Sequence, residues 1–312
     1  MSNQQNNKDV RIVLFDHDGD VRQNLKSTLA QESFTGTLAT AGLKTAQAAL
    51  FNNEADLFIV DVDKKKDTIL SLMRKIRNHE VGDNPFPITV ALSSDPDHDN
   101  VRQIIHSGFD LMLLKPFSMA TFLSRIQNLA RNRAEFAVTT EYIGPDRRMG
   151  GRDNPNQARF PMTVVPNPVK IMANGEMTRN AMNNVIQTGV AKINERRVQA
   201  NGYMIADLID KLASKHLLNE MDDKFLLYTR KLDSLSKDMN RRLNRSKFAH
   251  IAELCETVAD VVQRMLETPL QPLSKDIQLL QNLGRAIDRA FQTGEDETMV
   301  VRQISDSFRA TG

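Results

Sequence analysis

Four hydrophobic runs in this chain stop on residues capable of chemistry. Val10 to Phe15 is followed at once by Asp16-His17-Asp18, and Leu57 to Val60 by Asp61. Ile88 to Leu92 runs into Ser93-Ser94, and Leu111 to Leu114 into Lys115-Pro116-Phe117. Acids, a hydroxyl and a lysine converging from four strand ends would suit phosphoryl transfer to a carboxylate. Asp61 would be the nucleophile and would form an acyl phosphate. Mg²⁺, a hard cation that prefers carboxylates, waters and phosphate oxygens, would be held by Asp16 and Asp61, with Asp18 as a further candidate. Ser93 could hydrogen-bond one phosphoryl oxygen, and Lys115 could neutralise another. In-line transfer needs mainly positioning and charge neutralisation, and these residue types supply both.

The pattern around these residues predicts the elements that would bring them together. Val10 to Phe15 reads as a first strand, and Val21, Leu25 and Leu29 mark the helix after it. Phe34 to Ala41 reads as a second strand and Leu43 to Phe51 as a helix. Leu57 to Val60 is a third strand, followed by helical spacing at Ile69, Leu72, Met73 and Ile76. Ile88 to Leu92, a helix over Val101 to Ile105, Leu111 to Leu114, and a closing helix through Phe122, Ile126 and Leu129 complete the series. Strands that are nearly all apolar and alternate with helices imply a parallel sheet covered on both faces, an α/β doubly wound domain. In such open sheets, ligands gather beyond the carboxyl ends of the strands, which is where the reactive residues fall.

Residues Val10 to about Arg131 resemble the CheY-like receiver domain of two-component response regulators. The matching motifs are VRIVLFDHDGDVRQNL, ADLFIVDVDKKKDTILSLMRKIR, PITVALSS, HSGFD and LMLLKPF. The resemblance implies the flavodoxin-like strand order 2-1-3-4-5, an order that general accounts of doubly wound folds illustrate with a receiver. It implies Asp61 as phosphoacceptor, Ser93 as switch hydroxyl, Lys115 as phosphate-facing lysine, and a histidine kinase or phosphotransfer protein as donor. The chain departs from the pattern at three places. His17 stands where receivers carry a second metal-binding acid, and imidazole is a poor Mg²⁺ ligand; His17 therefore reads as an inert loop residue. Lys65-Lys66 replace the usual Pro-Gly, inside a Lys64-Lys65-Lys66 run expected to be solvated. Met112 takes the aromatic switch position.

Beyond Arg131 the pattern changes. Tyr142 to Pro168 contains five prolines with few apolar positions, so residues 133–176 read as a Pro/Gly/Arg-rich linker. Its GPDRR stretch is expected to form a docking turn whose arginines pair with acids. Arg148 and Arg152 have the spacing of the arginine motif of PilZ domains, but the D-x-S-x-x-G expected after it is missing, and no cofactor-binding residues are assigned. Residues 177–312 read as all-α, with about five or six helices. Phe225, Tyr228, Leu232, Leu235 and Met239 form one apolar stripe, expected to be bundle core. His250 lacks the neighbours of a phosphotransfer histidine. Residues 170–312 hold 21 Lys and Arg against 19 Asp and Glu, so no basic domain emerges and nucleic-acid binding is not expected. The one basic cluster is Arg241, Arg242, Arg245 and Lys247.

The 312 residues carry a net charge of +2 and a single cysteine, Cys255, which excludes an internal disulfide and a thiolate zinc cluster. No membrane span is expected, residues 1–9 read as a disordered tail, and the cytoplasm is the expected setting. The leading expectation is a two-component signalling protein, not an enzyme beyond self-phosphorylation and autodephosphorylation. Its receiver would act on a helical domain that contacts a downstream protein partner. A phosphorylation-independent pseudo-receiver scaffold and a DNA-binding regulator are the alternatives. Association as a homodimer is left open.

Overall fold

The computed structural model describes residues 7–147, 162–243, 246, 248–268 and 271–293. The chain divides into two compact units, Met1–Val190 and Ala191–Gly312.

The first unit is built on strands β1 (Arg11–Phe15), β2 (Gly36–Thr40), β3 (Leu57–Asp61), β4 (Ile88–Ser93) and β5 (Leu111–Leu114). All neighbours are parallel, in the order β2-β1-β3-β4-β5. Every residue of β3 and β4 is buried, while the edge strands β2 and β5 are partly open. The central strands read as continuous apolar runs because both of their faces are covered. Side chains alternate across the sheet. Val13, Phe15, Phe58 and Val60 therefore share one face, packed with α2 (Leu43–Phe51), α3 (Lys66–Arg77) and α4 (His98–His106). Helices α1 (Gly19–Gln31) and α5 (Met119–Arg131) pack against each other and bury Leu25, Leu29, Phe122 and Ile126. Side-chain caps fix where three helices begin: Asp18 for α1, Asp97 for α4 and Ser118 for α5.

The stretch assigned by composition to a linker is folded wherever it is described. Phe136–Val138 (β6) pairs antiparallel with Ile143–Pro145 (β7), Phe136 also bridges Thr163, and α6 (Pro168–Ala173) packs on α5. The reason is a buried charge network at the amino ends of β4 and β5. Asp110 accepts hydrogen bonds from Arg77 Nη2 at 2.7 Å, Thr89 N at 2.8 Å and Arg133 Nε at 3.1 Å. The Phe136 ring carries both guanidiniums, its centroid 5.0 Å from that of Arg77 and 4.9 Å from that of Arg133. Gly108, at φ +96°, admits this packing, because a Cβ there would meet Arg77 Cγ and the Ile143 carbonyl at 2.9 Å. The GPDRR turn does dock, and Arg147 donates to the backbone carbonyls of Phe109 and Asp110. Arg148 to Arg152 lie outside the described residues. The end of the expected tail is also ordered: residues Asn7–Asp9 form a 3-10 turn, and the Asp9 carbonyl accepts from Arg179 Nη2 at 2.7 Å.

Helix α7 (Arg179–Leu217) contributes residues to both units. The second unit continues with α8 (Asp223–Leu243), a 3-10 turn at Ala249–Ile251, α9 (Ala252–Glu267) and α10 (Ser274–Thr293). Among the described residues the unit holds four α-helices and one short 3-10 turn, in keeping with the all-α expectation. Helix α7 runs for 39 residues with no proline to interrupt it. Phe225, Leu232, Leu235 and Met239 are buried in the core, as the stripe predicted. At Gly202 an added Cβ would overlap the Phe291 ring, so glycine permits the close approach of α7 and α10. Cys255 is fully buried, which pushes its thiol up to about 12 and leaves it unreactive. No helix of the described residues is long and apolar enough to cross a membrane.

Asp238 engages Arg241 and Arg242 of the basic cluster, whose Arg245 and Lys247 lie outside the described residues. It accepts from Arg241 Nη2 at 2.7 Å, Arg242 Nε at 2.9 Å and Asn201 Nδ2 at 2.9 Å, with Arg197 Nε at 3.5 Å. Burial alone would raise its carboxyl pKa, but Arg242, Arg241 and Asn201 outweigh burial and hold it well below the usual range. Depressed in the folded state, the carboxylate contributes stability above its unfolded pKa of about 3.9 and loses it as pH falls further. The melting temperature of the helical unit is therefore expected to hold from pH 7 to about 5 and to drop below about 4, with Asp238→Asn flattening the drop. An unchanged acid slope in that variant, measured by circular dichroism melts, would assign the sensitivity to other carboxylates.

Candidate functional site

The parallel sheet carries Asp16, Asp61, Ser93 and Lys115 to its carboxyl edge, as the sequence predicted. Asp16 is fully buried just past β1, and Asp61 is nearly so as the last residue of β3. Lys115, one residue past β5, places Nζ 3.1 Å from Asp16 Oδ2 and 3.3 Å from Asp61 Oδ1. Partial burial works to lower the lysine's pKa, but Asp61 and Asp16 outweigh it and the net shift is upward. The lysine is therefore a fixed positive charge facing the two acids.

His17 is not the inert loop residue the sequence suggested. Its Nδ1 lies 2.9 Å from Asp61 Oδ2, and a carboxylate oxygen can only accept, so Nδ1 carries the proton of this contact. Its Nε2 is buried and has no hydrogen-bond partner among the described residues. The chain folds this way locally because β1 and β3 are adjacent and in register, Phe15 opposite Val60. A residue two places past Phe15 therefore reaches the end of β3. Asp16 Oδ1 accepts the Asp18 N–H at 2.9 Å, and Asp61 Oδ1 accepts the Asp63 N–H at 3.2 Å. All four carboxylate oxygens thus face a donor from within the chain.

Two candidates are used differently from expectation. Asp18 accepts from the N–H groups of Asp20 and Val21 at 2.9 and 3.1 Å, so its carboxylate is the cap of α1 and not part of the pocket. Those backbone contacts lower its pKa. Ser93 Oγ donates to Asp63 Oδ1 at 2.8 Å and accepts from Asn100 Nδ2 at 3.3 Å. Asp63 and Asn100 were missed by the sequence reading. Asp63 could have been found, since it lies two residues beyond Asp61 at the mouth of the same loop; buried Asn100 carries no comparable signal. Lys64 and Lys65 are exposed, as expected of a solvated run. Met112 is half-buried against the core, filling the aromatic switch position with packing volume.

The donor set decides whether Mg²⁺ fits. One atom each of Asp16, His17 and Asp61 lies within 4.8 Å of the others. The third donor is an imidazole nitrogen, and the nearby acid that could replace it caps a helix. Asp16 and Asp61 offer carboxylate oxygens of the kind Mg²⁺ takes, whereas His17 adds a nitrogen donor that Mg²⁺ disfavours.

Comparison with known proteins agrees with the fold. The response regulator MprA of Mycobacterium sp. (strain KMS) is 31% identical over 137 residues, covering 44% of this chain and 55% of that protein. The transcriptional regulatory protein GltR of Pseudomonas aeruginosa is 35% identical over 125 residues, covering 40% and 50%. The virulence transcriptional regulatory protein PhoP of Salmonella choleraesuis is 27% identical over 136 residues, covering 44% and 58%. The α/β domain is a receiver domain. The chain spans about half the length of the curated relatives it matches. A response regulator from Thermotoga maritima is 25% identical, covers 38% of this chain and 97% of that chain, and has a TM-score of 0.34. No protein-family model matches the chain.

Proposed function

We propose that the receiver accepts a phosphoryl group on Asp61 and thereby regulates the helical unit, which works by contacts with another protein. The observation that carries this reading is the nearly buried Asp61 carboxylate at the end of β3, with the Lys115 ammonium 3.3 Å away. An Asp61 carboxylate oxygen attacks the phosphorus of a phosphohistidine on a kinase or phosphotransfer partner. A P–O bond forms, the P–N bond breaks, and the leaving imidazole takes up a proton. Lys115 bridges Asp16 and Asp61 and meets the charge of the incoming phosphoryl oxygens. His17 must give up Asp61 Oδ2 if that oxygen is the one that attacks, and Ser93 must exchange Asp63 for a phosphoryl oxygen to act as a switch hydroxyl.

Incubation of the full chain with a small phosphodonor and a divalent cation is expected to add the mass of one phosphoryl group. An unchanged intact mass would overturn the reading. It would favour the scaffold that binds its partner without phosphate, which is supported by the complete internal pairing of the carboxylate oxygens. Some matched relatives carry transcriptional names, but Arg241 and Arg242 here are both engaged by Asp238. A protein-binding output is supported better than a phosphate-backbone contact.

A further inference from the structure

The nitrogen donor that His17 adds to this pocket is itself informative. Mg²⁺ takes oxygen ligands in near-octahedral geometry, whereas imidazole combined with carboxylates is a donor set for Zn²⁺ and neighbouring first-row dications. We infer that the pocket of Asp16, His17 and Asp61 is a site for a borderline dication of the Zn²⁺ and Co²⁺ class. The inference names the ion of the same site proposed to accept phosphate. It does not depend on phosphoryl transfer, and it is measured with no phosphodonor present.

Spacing, burial and charge each support this assignment. His17 Nδ1 and Asp61 Oδ2 are 2.9 Å apart. In tetrahedral coordination two ligands about 2.0–2.1 Å from one ion stand about 3.3 Å from each other, so the two atoms need part by only a few tenths of an ångström to admit the ion. Asp16 and Asp61 sit at the ends of adjacent, paired strands, with side chains 0% and 6% exposed. The carboxylates are therefore held in place before an ion arrives. With imidazole in the neutral form that coordination requires, two carboxylates face the single positive charge of Lys115 and leave the pocket net negative. Coordination through Nδ1 moves the ring proton to Nε2. The ion thus takes the place of the hydrogen bond between Nδ1 and Asp61.

The test uses the full chain, stripped with a chelator and titrated separately with zinc, cobalt and magnesium chloride in a calorimeter, with visible spectra recorded for cobalt. The expected result is one equivalent of Co²⁺ giving d–d absorption, and Zn²⁺ bound roughly 100-fold or more tighter than Mg²⁺. His17→Asp should weaken Zn²⁺ and Co²⁺ binding roughly tenfold or more and tighten Mg²⁺ binding. If that variant does not fold by circular dichroism, His17→Gln supplies the loss of Zn²⁺ without the gain of Mg²⁺. Zn²⁺ affinity unchanged by the folded variant, or wild-type Mg²⁺ affinity equal to that for Zn²⁺, overturns the inference. Loss of phosphoryl uptake with this metal preference intact would overturn only the phosphoacceptor reading.

Discussion

Replacing Asp61 with asparagine is expected to cut phosphoryl uptake by roughly 10³-fold or more, the scale on which removal of an essential nucleophile is felt. A carboxamide oxygen carries no charge and does not displace a leaving group. The surroundings argue that the fold survives. An asparagine oxygen can still accept from His17 Nδ1 or from the Asp63 N–H, and Lys115 keeps its contact with Asp16. The variant also removes one of two carboxylates that share a single lysine, which relieves repulsion. A time course of intact mass with a small phosphodonor reads the effect directly. Uptake by the asparagine variant at the wild-type rate would move the acceptor to another carboxylate, with Asp16 and Asp63 the first to replace.

Asp110→Ala is expected to destabilise the first unit by about 3–5 kcal/mol, the cost of removing one partner from a buried ion pair. Arg77 is 1% exposed, and burial draws its pKa down to about 10 with Asp110 acting to raise it, so the guanidinium stays charged at neutral pH. Asp110 is held below the usual carboxylate range, because Arg133 and Arg77 outweigh the effect of its burial. Without it, two neighbouring guanidiniums lose the carboxylate they share, and Thr89 loses the acceptor of its N–H. Arg77 retains the carbonyls of Gly108 and Pro85, so charge repulsion, not loss of every bond, drives the effect. Hydrogen exchange should report faster opening at Phe136–Val138 and along β4 and β5, and Asp110→Asn should open less. Protection equal to wild type in the alanine variant would mean that the hairpin is held by apolar packing alone.

The two halves of the receiver were not equally legible in the sequence. LFIVD announces both a strand buried on two faces and a carboxylate delivered to the edge of a sheet, so Asp61 and its elements follow from pattern. The Lys115 contact follows as well, because topology alone brings the strand ends together. His17 does not, since its meaning depends on a side-chain direction across the β1–β3 pair that no spacing encodes. The Asp110 network hides for a different reason. Its arginines lie 33 and 23 residues away in the chain and meet only at the amino ends of the strands. The hairpin it anchors consists of two three-residue strands, too short to show a period, within a stretch whose composition reads as linker.

Strand β3 has an acid at each end. Asp61 closes it in the pocket, and Asp56 precedes it at the opposite edge. There Asp56 accepts from Arg179 Nη1 at 2.6 Å and from the Arg11 N–H at 2.8 Å. Five residue steps of about 3.3 Å separate the two carboxylates by roughly 16 Å of fully buried strand. Arg179 is the first residue of α7. Strand β3 is paired on both sides, with β1 and with β4. The site where chemistry would occur and the first residue of α7 therefore meet opposite ends of one buried strand.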